Sequence, residues 1–128
     1  MKTIQIFLTL CLAATLFSAC KKDNASGGQS MQGIWQGKWG SGDEEPRYFF
    51  KFKMESNGQL QRLDEQGQVI ANGTWELNGI EFECTYTHTD GQVHKIGGLY
   101  TDFDETIVGT WGYHTSKADG GNIELKKQ

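Results

Sequence analysis

From Gly33 onward, apolar and polar side chains alternate with a period of two, and no stretch sustains a helical period. Eight segments carry the alternation: roughly 33–39, 47–55, 59–63, 68–77, 80–88, 92–100, 106–114 and 121–127. Turn signals separate several of them, namely Ser56-Asn57-Gly58, Asn78-Gly79, Thr89-Asp90-Gly91 and Ala118-Asp119-Gly120-Gly121. Every link is short enough for a hairpin, so the pattern predicts an antiparallel meander. Eight such strands can close on themselves and so remove both sheet edges. The expected fold is therefore all-β, a single eight-stranded antiparallel meander barrel.

Two hairpins can be registered from turn chemistry. Asn78-Gly79 suits a two-residue type I′ turn, which would pair Leu77 with Ile80, Trp75 with Phe82, Gly73 with Cys84 and Ala71 with Tyr86. The opposite face then carries Thr74, Glu76, Glu81, Glu83 and Thr85, a solvated stripe with Glu76 opposed to Glu81. Thr89-Asp90-Gly91 suits a three-residue turn ending in a left-handed Gly, pairing Tyr86 with His94, Cys84 with Ile96 and Phe82 with Gly98. Both hairpins turn the same face of the shared strand inward. The expected barrel core is Trp35, Trp75, Trp111, Phe50, Phe52, Phe82, Cys84 and Ile96.

Gly37-Lys38-Trp39, Gly73-Thr74-Trp75 and Gly109-Thr110-Trp111 place Gly two residues before Trp at a constant interval. Residues two apart on a strand share a face. A narrow eight-stranded bore barely holds its own side chains, so each Gly is expected to give its Trp room and to permit the coiling that closure needs.

In a meander, alternate links share an end. One end gathers the compact links 56–58, 78–79 and 101–105, with Leu77, Ile80, Phe52, Met54 and Ile107 expected as a dry plug. The other gathers residues 40–46, 64–67, 89–91 and 115–120, with many acids. Longer loops at one barrel end mark a ligand mouth. Inward Trp39, Tyr48, Tyr86, His88, His94 and Tyr113 are the expected lining, an aromatic wall with a few polar groups. Arg62 depends on the turn before it. A three-residue turn at 56–58 points it inward, where it could hold a carboxylate, whereas a two-residue turn at Asn57-Gly58 points it outward.

The start of the chain has a different character. Lys2 precedes an apolar or small run from Thr3 to Ala19, the layout of a secretory signal peptide. Residues 1–19 are expected to be removed, 20–32 to form a flexible Gly/Ser-containing tether, and 33–128 to form the barrel domain. Lys2 is the one charge in the leader, so its loss makes the chain more acidic than the full sequence's net −4, which argues against a nucleic-acid partner. With Cys11 in the leader and Cys20 modified, Cys84 has no disulfide partner.

Leu16-Phe17-Ser18-Ala19-Cys20 resembles the lipobox of bacterial lipoproteins, although Phe17 stands where the strict pattern has Leu. That resemblance implies lipidation of Cys20 and a membrane anchor. The start Cys20-Lys21-Lys22-Asp23-Asn24 is similar to small Bacteroidetes-type lipoproteins, and Lys21 implies the outer membrane, on its periplasmic face or the cell surface. Gly33-Ile34-Trp35 or Gly37-Lys38-Trp39, with Thr101-Asp102-Phe103 between strands six and seven, resembles the lipocalin and avidin-like barrels, in which ligands enter one end of an eight-stranded meander. The Arg that lipocalins carry after the last strand is missing.

Candidate chemistry is sparse. His88 and His94 lack a third ligand for a metal, Cys84 has no base in register, and no nucleophile elbow, P-loop or dinucleotide fingerprint occurs. No catalytic residue, metal or cofactor is expected. The sequence predicts a lipid-anchored envelope protein whose barrel binds a small apolar or aromatic ligand. Its alternative is a non-catalytic interaction module with a filled interior and an envelope protein partner.

Overall fold

A computed structural model describes residues 31–128. Its eight strands are β1 (Gly33–Trp39), β2 (Tyr48–Met54), β3 (Gln59–Leu63), β4 (Val69–Asn78), β5 (Glu81–His88), β6 (Val93–Thr101), β7 (Thr106–Tyr113) and β8 (Gly121–Lys127). Each pairs antiparallel with its sequence neighbour, and β1 pairs with β8, closing the barrel. This is the all-β meander that the alternation predicts, because one apolar face per strand can be buried only when the sheet curls onto itself. The leader, Cys20 and most of the expected tether lie outside the described residues. Among the described residues, no helix is long and apolar enough to cross a membrane.

Three loops share one construction. Residues 56–58, 65–67 and 89–91 each end in a Gly at positive φ. In each, the residue before the loop accepts from that Gly and donates to the residue after it: Glu55 with Gly58 and Gln59, Asp64 with Gly67 and Gln68, His88 with Gly91 and Gln92. Asn57 and Asp90 then bond the backbone two residues on, as Asx side chains do in turns. The 89–91 turn yields the expected register, with Tyr86 opposite His94 and Cys84 opposite Ile96.

The hairpin at Asn78-Gly79 differs from expectation by one turn position. Asn78 pairs with Glu81, so Gly79 and Ile80 form the loop, with Gly79 alone at positive φ as a type II′ turn requires. The register moves by two, so every side chain keeps its face. Trp75 lies opposite Cys84, Gly73 opposite Tyr86, and Glu76 opposite Glu83 instead of Glu81. Ile80, expected in the plug, stands in the turn and is 60 % exposed.

Core side chains fill the end opposite the long loops. Trp35, Phe52, Phe82, Met54, Leu60, Ile96 and Ile107 are buried there and along the bore, with Cys84 among them and Trp75 and Leu77 packed against the cluster. Met31, placed by the sequence reading in the tether, is also fully buried. Its carbonyl accepts the Trp35 indole N–H at 2.8 Å, while Trp75 donates to the Glu55 carbonyl at 2.9 Å.

The spaced glycines prove to serve a neighbour other than Trp. A Cβ on Gly37, Gly73 or Gly109 would overlap the backbone of the adjoining strand, at Glu124, Thr85 and Gly97 respectively. These glycines let strands approach and coil at closure. The glycine that makes room for an indole is Gly120, where a Cβ would enter the Trp111 ring.

Candidate functional site

The open end collects the C-terminal ends of β1, β5 (His88) and β7, and the starts of β2, β6 and β8. Strand parity turns Trp39, Phe50, Arg62, Tyr86, His94, Trp111 and Tyr113 into the bore at this level. A cavity of about 140 Å³ lies between them, lined by these residues and Gln92. β4 contributes only Ala71, which stands opposite both Arg62 and His88 and leaves them space.

The long loops do not roof this cavity. Residues 114–120 fold down the outer wall: Lys117 pairs with Glu83 on the outside of β5, and its carbonyl accepts from the Thr110 hydroxyl at 2.6 Å. Gly112, on the outer face of β7, has no room for a Cβ beneath Ser116 and Asp119. Asp119 accepts from the Tyr113 backbone N–H. The loop after β1 is pinned through Gly40, whose carbonyl takes the Trp111 indole N–H at 2.9 Å. The backbone of this loop is also tied to β8 and its approach, Gly40 N–H donating to the Asn122 carbonyl and Gly42 N–H to that of Gly120.

Aromatic rings form a near-continuous girdle. Tyr48 stacks on Trp39 with centroids 4.7 Å apart, Trp39 meets Trp111 at 5.2 Å, and Trp111 meets Tyr113 and His94 at 5.2 and 5.5 Å. His94 continues to Tyr86 and His88, and Tyr86 to Phe50. Most of these pairs are edge-to-face, the arrangement favoured by ring quadrupoles.

All six residues expected at the mouth gather there, in different roles. Trp39, Tyr86, His94 and Tyr113 line the cavity. Tyr48 stands at the rim, 40 % exposed, with its hydroxyl bonded by Arg47. His88 supports from behind, its Nε2 lying 3.3 Å from both Arg62 Nη1 and His94 Nδ1. Phe50 and Trp111, expected as core, are buried but also face the cavity.

Arg62 is the residue that sequence reasoning left undecided. The three-residue loop 56–58 turns it inward, and a register shift between Arg62 and Leu63 marks a bulge beside it. Bulges re-aim side chains near functional sites. Its guanidinium lies over the Phe50 ring at 4.4 Å and faces the Tyr86 ring at 5.9 Å. No carboxylate of the described residues pairs with it. The signal was present in the sequence. Ser56-Asn57-Gly58 has the same form as Thr89-Asp90-Gly91, whose three-residue reading was the correct one.

The electrostatics follow from this crowding. Burial lowers the Arg62 pKa, opposed by Tyr86. Burial also lowers His88, with Arg62 adding to the effect. His94 is lowered to about 4, first by burial, then by the positive influence of His88 and Arg62. Burial raises the Tyr86 hydroxyl and the Cys84 thiol well above their ordinary values. At neutral pH the cup therefore holds one cation, two neutral imidazoles and the un-ionised Tyr86 phenol. The described residues contain no group of three or more His, Cys, Asp or Glu arranged to hold a metal. No protein-family model matches the chain, and no curated protein matches it in sequence.

Proposed function

We propose that this protein is a lipid-anchored protein of the bacterial outer membrane whose barrel binds a small apolar or aromatic ligand in the cup at its open end. The observation that carries the binding reading is the 140 Å³ cavity walled by Trp39, Phe50, Tyr86, Trp111 and Tyr113 with Arg62, Gln92 and His94 among them. Concave aromatic sites with a few polar groups are what small-molecule recognition uses. A dry engineered cavity of ~150 Å³ takes one benzene, so the cup suits a single ring.

The anchor reading rests on the lipobox-like stretch ending at Cys20 and on Lys21 after it. Acyl chains on Cys20 would hold the domain at a bilayer, each buried methylene contributing about 0.8 kcal/mol. The chain enters the barrel through Met31, at the end opposite the cup. The reading includes no catalysis. Cys84 is buried with its thiol pushed up, and Glu76, Glu81 and Glu83 belong to the outer face.

One observation favours the interaction-module alternative. Ile80, Leu99, Val108 and Phe103 are exposed on or near the closed end, Phe103 at 98 %. The two readings separate in a tryptophan fluorescence titration against single-ring and larger apolar compounds. Trp39 and Trp111 report the cup, and Trp35 and Trp75 serve as distant controls. A saturable shift that disappears in Trp111→Phe supports the binding barrel. A flat response to every compound removes it and leaves the interaction module.

A further inference from the structure

Two buried side-chain nitrogens in the described residues have no hydrogen-bond partner, Arg62 Nε and His94 Nε2. Both belong to residues lining the one cup. An unsatisfied buried polar atom costs roughly 1–3 kcal/mol, so two in one cavity call for an explanation. His94 is only 9 % exposed, which leaves its Nε2 little access to bulk water.

The polarity of each nitrogen can be worked out. Arginine only donates. With Arg62 Nη1 3.3 Å from His88 Nε2, that His88 nitrogen accepts. His94 Nδ1, also 3.3 Å from His88 Nε2, must then carry its proton and donate. Neutral His94 has one ring proton, so its Nε2 is left as a bare acceptor. The residues lining the cup thus hold one unfilled cationic donor, Arg62 Nε–H, and one unfilled acceptor, His94 Nε2; neither is open to a water molecule as the side chains stand, so a ligand reaches them only as Arg62 and His94 turn toward the cup. No side chain of the described residues answers either.

We infer that the ligand is a monocyclic aromatic hydroxy acid, whose carboxylate accepts from Arg62 Nε and whose hydroxyl donates to His94 Nε2. The cavity volume limits the body to one ring, and the walls at Trp39, Phe50 and Trp111 are aromatic. A guanidinium without an acidic partner selects a planar anion, and Arg hydrogen bonds to carboxylates are among the strong ones. His88 acts as a positioning residue, since its Nε2 sets the His94 tautomer. This inference rests on the binding-barrel reading above and narrows it to a chemical class.

The test uses the full-length protein and four probes: benzoate, 3-hydroxybenzoate, 4-hydroxybenzoate and the neutral isostere benzamide. Calorimetry or fluorescence should show benzoate binding at least tenfold more tightly than benzamide, and one hydroxybenzoate isomer more tightly than benzoate. Arg62→Met should weaken the acids by about ten- to hundredfold and benzamide by much less, so that the preference for the anion collapses. His94→Leu should erase the advantage of the hydroxyl, so that neither hydroxybenzoate binds the variant better than benzoate does. Because the first comparison uses the unaltered protein, poor folding of a variant does not decide it. Benzamide binding as well as benzoate overturns the anion inference while the binding barrel survives. Acids that bind without any gain from a hydroxyl overturn the role of His94. No saturable binding by any of these probes or by other apolar compounds sinks both readings together.

Discussion

At the closed end Trp35 gives its indole proton to the Met31 carbonyl, Trp75 gives its own to Glu55, and Tyr100 bonds Asp102. At the open end Trp111 is equally satisfied by Gly40, but Arg62 Nε and His94 Nε2 are not. Both ends use the same alternating strands and similar aromatic residues. The difference lies in what the polar atoms meet. One end has been closed by the chain's own carbonyls and by a buried Met, and the other holds unmatched charge among rings. Stability and recognition are therefore expected to reside at opposite ends of a single barrel.

Truncating matched tryptophans tests that division most strongly. Trp35→Ala removes a fully buried indole with its hydrogen bond and should cost about 3–5 kcal/mol. Trp39→Ala removes a partly exposed rim ring and should cost about 1–2 kcal/mol. Urea denaturation of the two variants measures the gap. Equal losses would mean that the rim is as structural as the base.

Closure itself is the next target. Gly73→Val places two methyls and a Cβ against the β5 backbone at Thr85 and Tyr86, which cannot rotate aside as a side chain would. Overpacking of this kind costs on the order of 1–3 kcal/mol. A control at Gly67, where a Cβ meets nothing but φ is +82°, separates backbone strain from steric closure. If Gly73→Val is no worse than Gly67→Ala, the close approach of β4 and β5 is not what the glycine serves.

Much of this was legible in the chain. Period-two alternation and turn chemistry set the inward faces of β4, β5 and β6, and parity survived even where the turn at Gly79-Ile80 moved the register by two. A slip of two preserves every inward residue, whereas a slip of one would have inverted the sheet. The aromatic girdle was legible for the same reason. Arg62 was left open, because its direction hangs on one residue of loop length at 56–58, and only the likeness of Ser56-Asn57-Gly58 to Thr89-Asp90-Gly91 points inward. The partner of each spaced Gly was also out of reach, since Glu124, Thr85 and Gly97 belong to neighbouring strands whose approach depends on barrel coiling. The course of residues 114–120 down the outer wall had no local signal beyond Gly112, which is covered by that loop.

Acid should weaken the open end before the closed one. His94 is held at about 4 in the fold against an ordinary 6.5, because burial disfavours the imidazolium and His88, Arg62 and His114 oppose it, with Asp90 the one favourable charge. The unfolded chain takes up a proton as pH falls through 6.5, and the folded chain does not until about 4. Stability is full above 6.5 and drains across that interval, by on the order of 2 kcal/mol after allowance for solvent near the rim. Glu83, held below its ordinary 4.5 by Lys117, acts only at lower pH. Urea midpoints of the parent and of His94→Phe between pH 7.5 and 4.5 should diverge, with the variant flatter. Parallel curves would remove His94 as the source.

The smallest stability change should come from the residue with the largest expected effect on binding. Arg62→Met keeps an unbranched side chain over Phe50 while removing a guanidinium with an unpaired Nε and its cation–π contact. The lost ring contacts and the lost bond from Nη1 to His88 Nε2 cost about 1–2 kcal/mol together, and relief of the buried charge with its unsatisfied nitrogen returns a similar amount or more. Exchanging a buried charge for a methionine is often neutral or stabilising. Its unfolding free energy should therefore match the parent or exceed it by up to ~1 kcal/mol. That outcome would mean that the Arg is held at no gain to the fold, as a ligand-binding residue would be. If Arg62→Met instead unfolds as readily as Trp35→Ala, the guanidinium is a structural strut between Phe50 and Tyr86, and the division between the two ends fails at its most exposed point.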